Sequence, residues 1–317
     1  MNPLGGLLDL VSPVIPGRDG TDRPTAEEVD GYFPAESMIR RLHRERIVAI
    51  SGVRALLMQA LDPLAVVGFD RHSVLFEDPE ARLVSTDRMM SRIYFGSRET
   101  ALATGRAIEA MHDRVNGEVQ EDYGPIPAGT PYSAGDPELM LWTLATLADS
   151  AMLYASRFIS PMSDGEREAY WSDYRQVGQL LGMPADSMPP TAPELREYLD
   201  GRLRDGSLYI SDDVRGRAVA IIFDPPFSGW TRLALTPLTE AVKLSSVGLL
   251  PPEARELYGF GWDPIRQAAL DSLLLQVRLA NPTWPSWFRL HDAARAPAGT
   301  TFQGRVAIES TDGTGAP

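Results

Sequence analysis

Four histidines are the only imidazoles in the 317-residue chain: His43, His72, His112 and His291. In the stretch GSRETALATGRAIEAMHDRVNG, Ile108, Met111 and Val115 recur at three- and four-residue spacing, and His112 falls among them. Helical periodicity turns that group inward. Such a histidine is either a core residue satisfied by hydrogen bonds or an axial metal ligand, and on pattern alone the first reading is the commoner. A second pattern lies upstream in DPEARLVSTDRMMSRIYFG, where Arg82 and Thr86 share a helical face with Met89, Met90 and Ile93. An inward arginine needs an anion. Asp78 could provide it, with Thr86 bonding its own backbone, or the anion could belong to a ligand.

The remaining histidines are weaker candidates. His72, in FDRHSVLFEDP, either contacts a bound group or caps a helix end. His43 sits in the basic run RRLHRER and is expected on a solvated surface. His291 precedes a tail rich in Gly, Thr and Ser and is expected to be incidental. Glu109 and His112 make one Glu-x-x-His unit, and a di-iron carboxylate site would need a matching second. The DPE at 136–138 reads as a helix start: Asp136 cap, Pro137, Glu138.

Composition removes whole classes of chemistry. With no cysteine there are no disulfides, iron–sulfur clusters, thiolate-ligated haems or cysteine zinc sites. Lys243 is the single lysine, so Schiff-base and phosphate-loop lysines are excluded almost everywhere. A net charge of -13 argues against nucleic acid, because phosphate binding needs a basic surface. No apolar run reaches about 18 residues, so no membrane span is expected, and peripheral contact through apolar residues stays open. The first residues lack the basic region of a secretory signal, which points to the cytoplasm.

The elements that must carry these residues read as helices. Residues 1–25 are expected to form an extended arm, 26–295 a single helical domain, and 296–317 a disordered tail. A helix is expected over about 35–60, with Gly52 as an interruption, then a short one that breaks near Gly68. Helices follow from Pro79 to Phe95, stopped by Gly96, and from Ser97 to about Val115. After a Pro/Gly-rich loop, the segment PELMLWTLATLADSAMLYASRF is apolar nearly all round and is expected at the centre of the core. Ser163 and Glu166 have capping-box spacing for a helix over 163–182, and Thr191 starts the next. Others are expected at about 212–222, 231–246, 251–257 and 263–280. No strand pattern longer than a few residues appears, so the fold class is all-α.

Taken in order, the stretches GVRALLMQALDPLAVVGFDRHS, EDPEARLVSTDRMMSRIYFG, AIEAMHDRVNG, YSAGDPELMLWTLATLADSAM and YRQVGQLLGMP resemble the latex-clearing-protein/MpaB oxygenase family. SVGLLPPEARELYGFGWDPIRQAAL resembles the family's carboxyl-terminal part. The resemblance implies a globin-like helical core around haem b. It implies that His112, in MHDRV, is the proximal iron ligand. Arg82 and Thr86 match the arginine and threonine of the haem pocket, the arginine at a propionate, and His72 falls in a matching stretch. It further implies dioxygen and an apolar small molecule as substrates, with Thr86, Met89, Met90 and Trp142 lining the pocket. Rubber-cleaving members have a lysine immediately before the threonine; here the position is Ser85, which implies a different distal pocket. Alternatives are a non-catalytic haem sensor or carrier, and a cofactor-free helical protein binding lipid or a partner. The oligomeric state is left open.

Overall fold

The computed structural model describes residues 31–72, 79–223 and 229–295. The expected amino-terminal arm and the expected tail both lie wholly outside the described residues. The helices in chain order are α1 (Met38–His43), α2 (Arg46–Ala49), α3 (Ser51–Gln59), α4 (Pro63–His72), α5 (Pro79–Phe95) and α6 (Arg98–His112). Two short strands, β1 (Asn116–Glu118) and β2 (Pro131–Ser133), pair antiparallel, with Gly117 opposite Tyr132. Then come α7 (Pro137–Tyr154), a π-helical turn over Ala155–Ile159, α8 (Asp164–Leu180), α9 (Ala192–Arg204) and α10 (Asp212–Phe223). The last are α11 (Gly229–Gly248), α12 (Pro252–Tyr258), α13 (Pro264–Ala280), α14 (Ser286–Arg289) and α15 (Asp292–Arg295). The fold is all-α with this one small ribbon.

Helix starts follow local chemistry. Ser97 accepts from the Thr100 amide, Asp136 from those of Glu138 and Leu139, and Thr191 from that of Glu194. Ser163 and Glu166 form the full reciprocal capping box. Each cap satisfies amide donors that a helix start would otherwise leave unpaired, about 1 kcal/mol apiece.

The long helix expected over 35–60 is instead three. Arg44 and Glu45 interrupt it, and the Glu45 backbone leaves helical geometry to pair with Leu290. Gly68 does not break α4. It is buried beneath Tyr132, whose ring a methyl group at Gly68 would meet at 3.8 Å. α6 ends at His112, a turn earlier than expected, because Asp113–Val115 lead directly into β1.

α7 is the centre of the core. Trp142, Ala145 and Ala148 are wholly buried on it, and Leu144, Ala151 and Met152 nearly so. α3 packs along one side of α7 and α8 along another. Arg54 of α3 is buried at this junction and reaches three partners: the Leu249 carbonyl (2.7 Å), Ser150 Oγ (2.6 Å) and Asp149 (2.9 Å). The π-turn continues α7, and the Arg278 guanidinium of α13 donates to the carbonyls of Ser156 and Arg157.

Candidate functional site

α5 and α6 pack against one another across the two-residue connection Gly96–Ser97. Arg82 lies 14 residues before Gly96 (96 − 82), and His112 lies 15 residues after Ser97 (112 − 97). Both therefore stand toward the same end of the helical pair. Thr86 sits about one turn closer to the connection. The backbone of His72 ends α4, which packs on β2 of the ribbon that follows His112. The side chains of His72 and Arg82, like all of Asp78, lie outside the described residues.

His112 extends the inward stripe of α6. Ala101, Gly105 and Ile108 are buried, and residues 101, 105, 108 and 112 keep the spacing of one helical face. The face is placed by a close crossing with α8. A methyl group on Gly105 would overlap the Leu180 carbonyl oxygen, so the two backbones touch there. One turn on, Glu109 lies over Gly182, where α8 ends in a left-handed residue (φ 88°) with Met183 N donating to Gly178 O at 3.0 Å. A side chain on Gly182 would be strained and would meet Glu109 at 2.7 Å. Unlike the wholly buried residues before it, His112 keeps partial exposure, as do Met111, Thr86, Met89 and Met90.

The crossing gives a direct prediction. Gly105→Ala gains about 1 kcal/mol of helix preference, but its obstacle is backbone, which cannot rotate away. The net expectation is a loss of about 1–3 kcal/mol in urea unfolding, with α6 pushed off α8. Stability equal to or above wild type would show that the two backbones do not meet.

Among the described residues, no three His, Asp or Glu side chains converge to hold a bare metal ion. The single Glu-x-x-His unit at Glu109 and His112 meets no second such unit among them. Of the described residues, His112 alone is placed to ligate a metal at this end of α6, as an axial imidazole to a porphyrin would be.

Two expectations are corrected. His43 is not on a solvated surface: its Nε2 is 2.8 Å from Tyr170 OH, and its ring stacks on Tyr94 with centroids 4.2 Å apart. Burial pushes its pKa down to about 3, against the opposing charge of Asp87, so the imidazole is neutral. The hydroxyls of Tyr94 and Tyr174 are 3.3 Å apart beside it. His291 is not incidental: Nε2 is 3.1 Å from Asp87, its ring stacks on Phe95, and its amide donates to Arg44 O at 2.7 Å. Trp142 is wholly buried, with the Arg202 guanidinium 5.3 Å from its ring centroid. Arg202 is held by Asp62 (2.8 Å) and Glu138 (3.0 Å).

Sequence reasoning thus missed that Tyr94, Tyr170 and Tyr174 gather around His43, and that Asp87, the residue next to Thr86, pairs with His291. The available signal was Ile39 and Leu42, whose buried positions flank His43. The charged neighbours Arg41, Arg44 and Glu45 obscured it.

The chain belongs to the family described as "ER-bound oxygenase mpaB/B'/Rubber oxygenase, catalytic domain", whose model matches residues 39–279. It is similar to an uncharacterized protein of Mycobacterium bovis and to one of Mycobacterium tuberculosis. Each is 24% identical over 215 residues, covering 67% of this chain and 78% of the relative. No solved structure matches the chain. The family is that of an oxygenase catalytic domain. Among the described residues no helix is long and apolar enough to cross a membrane.

Proposed function

We propose that this chain is a haem b-dependent oxygenase acting on an apolar small molecule, with His112 as its protein ligand to iron. The observation that carries the reading is the place of His112. It ends an otherwise buried helical stripe, retains access, and lies in a chain matched by an oxygenase catalytic domain over residues 39–279. Haem b, when bound, would supply the redox chemistry, with dioxygen as co-substrate.

The protein's own part is to position and to shield. The close crossing at Gly105 and the Glu109–Gly182 contact hold the end of α6, so the His112 imidazole is presented from a rigid element. Arg82 would neutralise a propionate from the same end of the hairpin, and His72 would approach from α4. Thr86 would offer a hydroxyl to orient a polar atom in the pocket, while Met89 and Met90 would give an apolar, adaptable wall. Ser85 stands where the rubber-cleaving relatives have lysine, so no ammonium reaches the pocket from that position. This favours a substrate other than polyisoprene. We place the protein in the cytoplasm, with membrane contact at most peripheral.

The test is the absorption spectrum of protein purified from haem-supplemented cells, before and after dithionite, for wild type and His112→Ala. The expected result is a Soret band in wild type that falls at least tenfold in the variant. A colourless wild type, or a band indifferent to the substitution, removes His112 as ligand. A band without oxygen uptake against any apolar substrate would leave a haem sensor or carrier.

A further inference from the structure

α13 is apolar on two opposite sides. Leu270 and Leu274 are buried, 1% and 6% exposed, and pack with Tyr154, Phe158 and Leu249. The reverse side bears Ile265, Ala268, Ala269, Ser272, Leu275, Gln276 and Leu279, all exposed and none charged. Ile265 is 82% exposed, Leu275 57% and Leu279 68%, far beyond what an isolated surface leucine needs. The most exposed large apolar side chains among the described residues all fall within residues 265–288. A helix with two apolar sides has two partners to find, and the protein core covers only one.

The outer stripe is arranged symmetrically about Ser272. Ile265 and Leu279 lie seven residues either side of it, Ala268 and Gln276 four, Ala269 and Leu275 three. Laid antiparallel on itself about a twofold axis at Ser272, the stripe brings Ile265 of one copy beside Leu279 of the other. The same pairing sets small Ala269 at the level of large Leu275, while the small residues near the axis let the backbones approach. This is the self-complementarity that an isologous contact requires. Charge agrees. The chain carries -13 overall, yet residues 263–289 hold Asp263, Asp271, Arg266, Arg278 and Arg289, a surplus of one positive charge. Two copies can meet on this face without the repulsion that opposes contact elsewhere. The 17-residue helix is about 25 Å long, which gives a seam at the small end of specific interfaces and hence a reversible dimer.

We infer that α13 is the homodimer interface of this protein, two copies packing antiparallel about Ser272. The experiment is sedimentation of the full chain from about 1 to 100 µM, for wild type and Ser272→Arg. Each substituted side chain would meet its own copy at the axis. Expected is a concentration-dependent dimer that Ser272→Arg weakens at least tenfold, with an unchanged circular dichroism melt. A second arm uses the absence of cysteine. Ser272→Cys should oxidise to a linked dimer at least tenfold faster than Glu197→Cys, which is exposed on α9. Monomer throughout the range, or equal cross-linking of the two cysteine variants, overturns the proposal. So does a monomer that instead floats with phosphatidylcholine vesicles through this face.

Discussion

Replacing Arg54 by alanine is expected to cost about 3–5 kcal/mol of folding stability, measured by urea unfolding. The guanidinium is buried where α3, α7 and the turn after α11 meet. Its loss leaves the Leu249 carbonyl and Ser150 hydroxyl without their donor and strips Asp149, which is 32% exposed, of its counter-charge. Arg54→Lys should recover little, because one ammonium on a flexible stem cannot reproduce a planar fork reaching three acceptors. Arg54→Met combined with Asp149→Asn should recover more than Arg54→Ala alone, since it keeps the packed stem and removes the stranded charge. A loss below about 1 kcal/mol in Arg54→Ala would mean that the three bonds are replaced by water at little cost.

Acid should weaken the protein through His43 well before general carboxylate titration. In the fold its pKa lies at about 3 because burial disfavours the charged ring; in the unfolded chain it returns to about 6.5. The native state therefore binds fewer protons than the unfolded state between those values, and stability rises with pH across that window. The contribution is fully present above about pH 6.5 and is lost progressively as pH falls toward 3, in total on the order of 4 kcal/mol. His43→Gln keeps a hydrogen-bonding partner for Tyr170 OH and does not titrate. Urea unfolding at pH 7.0, 6.0, 5.0 and 4.0 should show a smaller decline in the variant, by roughly 1 kcal/mol per pH unit below 6. Parallel declines in the two proteins would assign the acid sensitivity to other groups.

The helices were legible wherever a cap and a period agree. Asp136, Ser163 and Thr191 each mark a start by their own side-chain oxygen, information that is local. The boundaries that escaped are set at a distance. Glu45 leaves the helix to pair with Leu290, and Gly68 stays within α4, buried beneath Tyr132. The same division holds at the candidate site. The inward face of His112 follows from spacing within one helix. That His43 meets Tyr170, 127 residues away, and that His291 meets Asp87 across 204, depends on tertiary packing that no window of sequence contains. Likewise, that Arg202 of α9 lies over the Trp142 ring of α7 is set by packing between helices.

The contact between Gly105 and the Leu180 carbonyl also closes one flank of α6 two turns before His112. Two backbones in van der Waals contact leave no slot, so a flat ligand cannot slide in between α6 and α8 at that level. If His112 holds a flat ligand as proposed, a bulky substituent placed along the α8 edge at the level of Gly105 should leave its uptake rate unchanged.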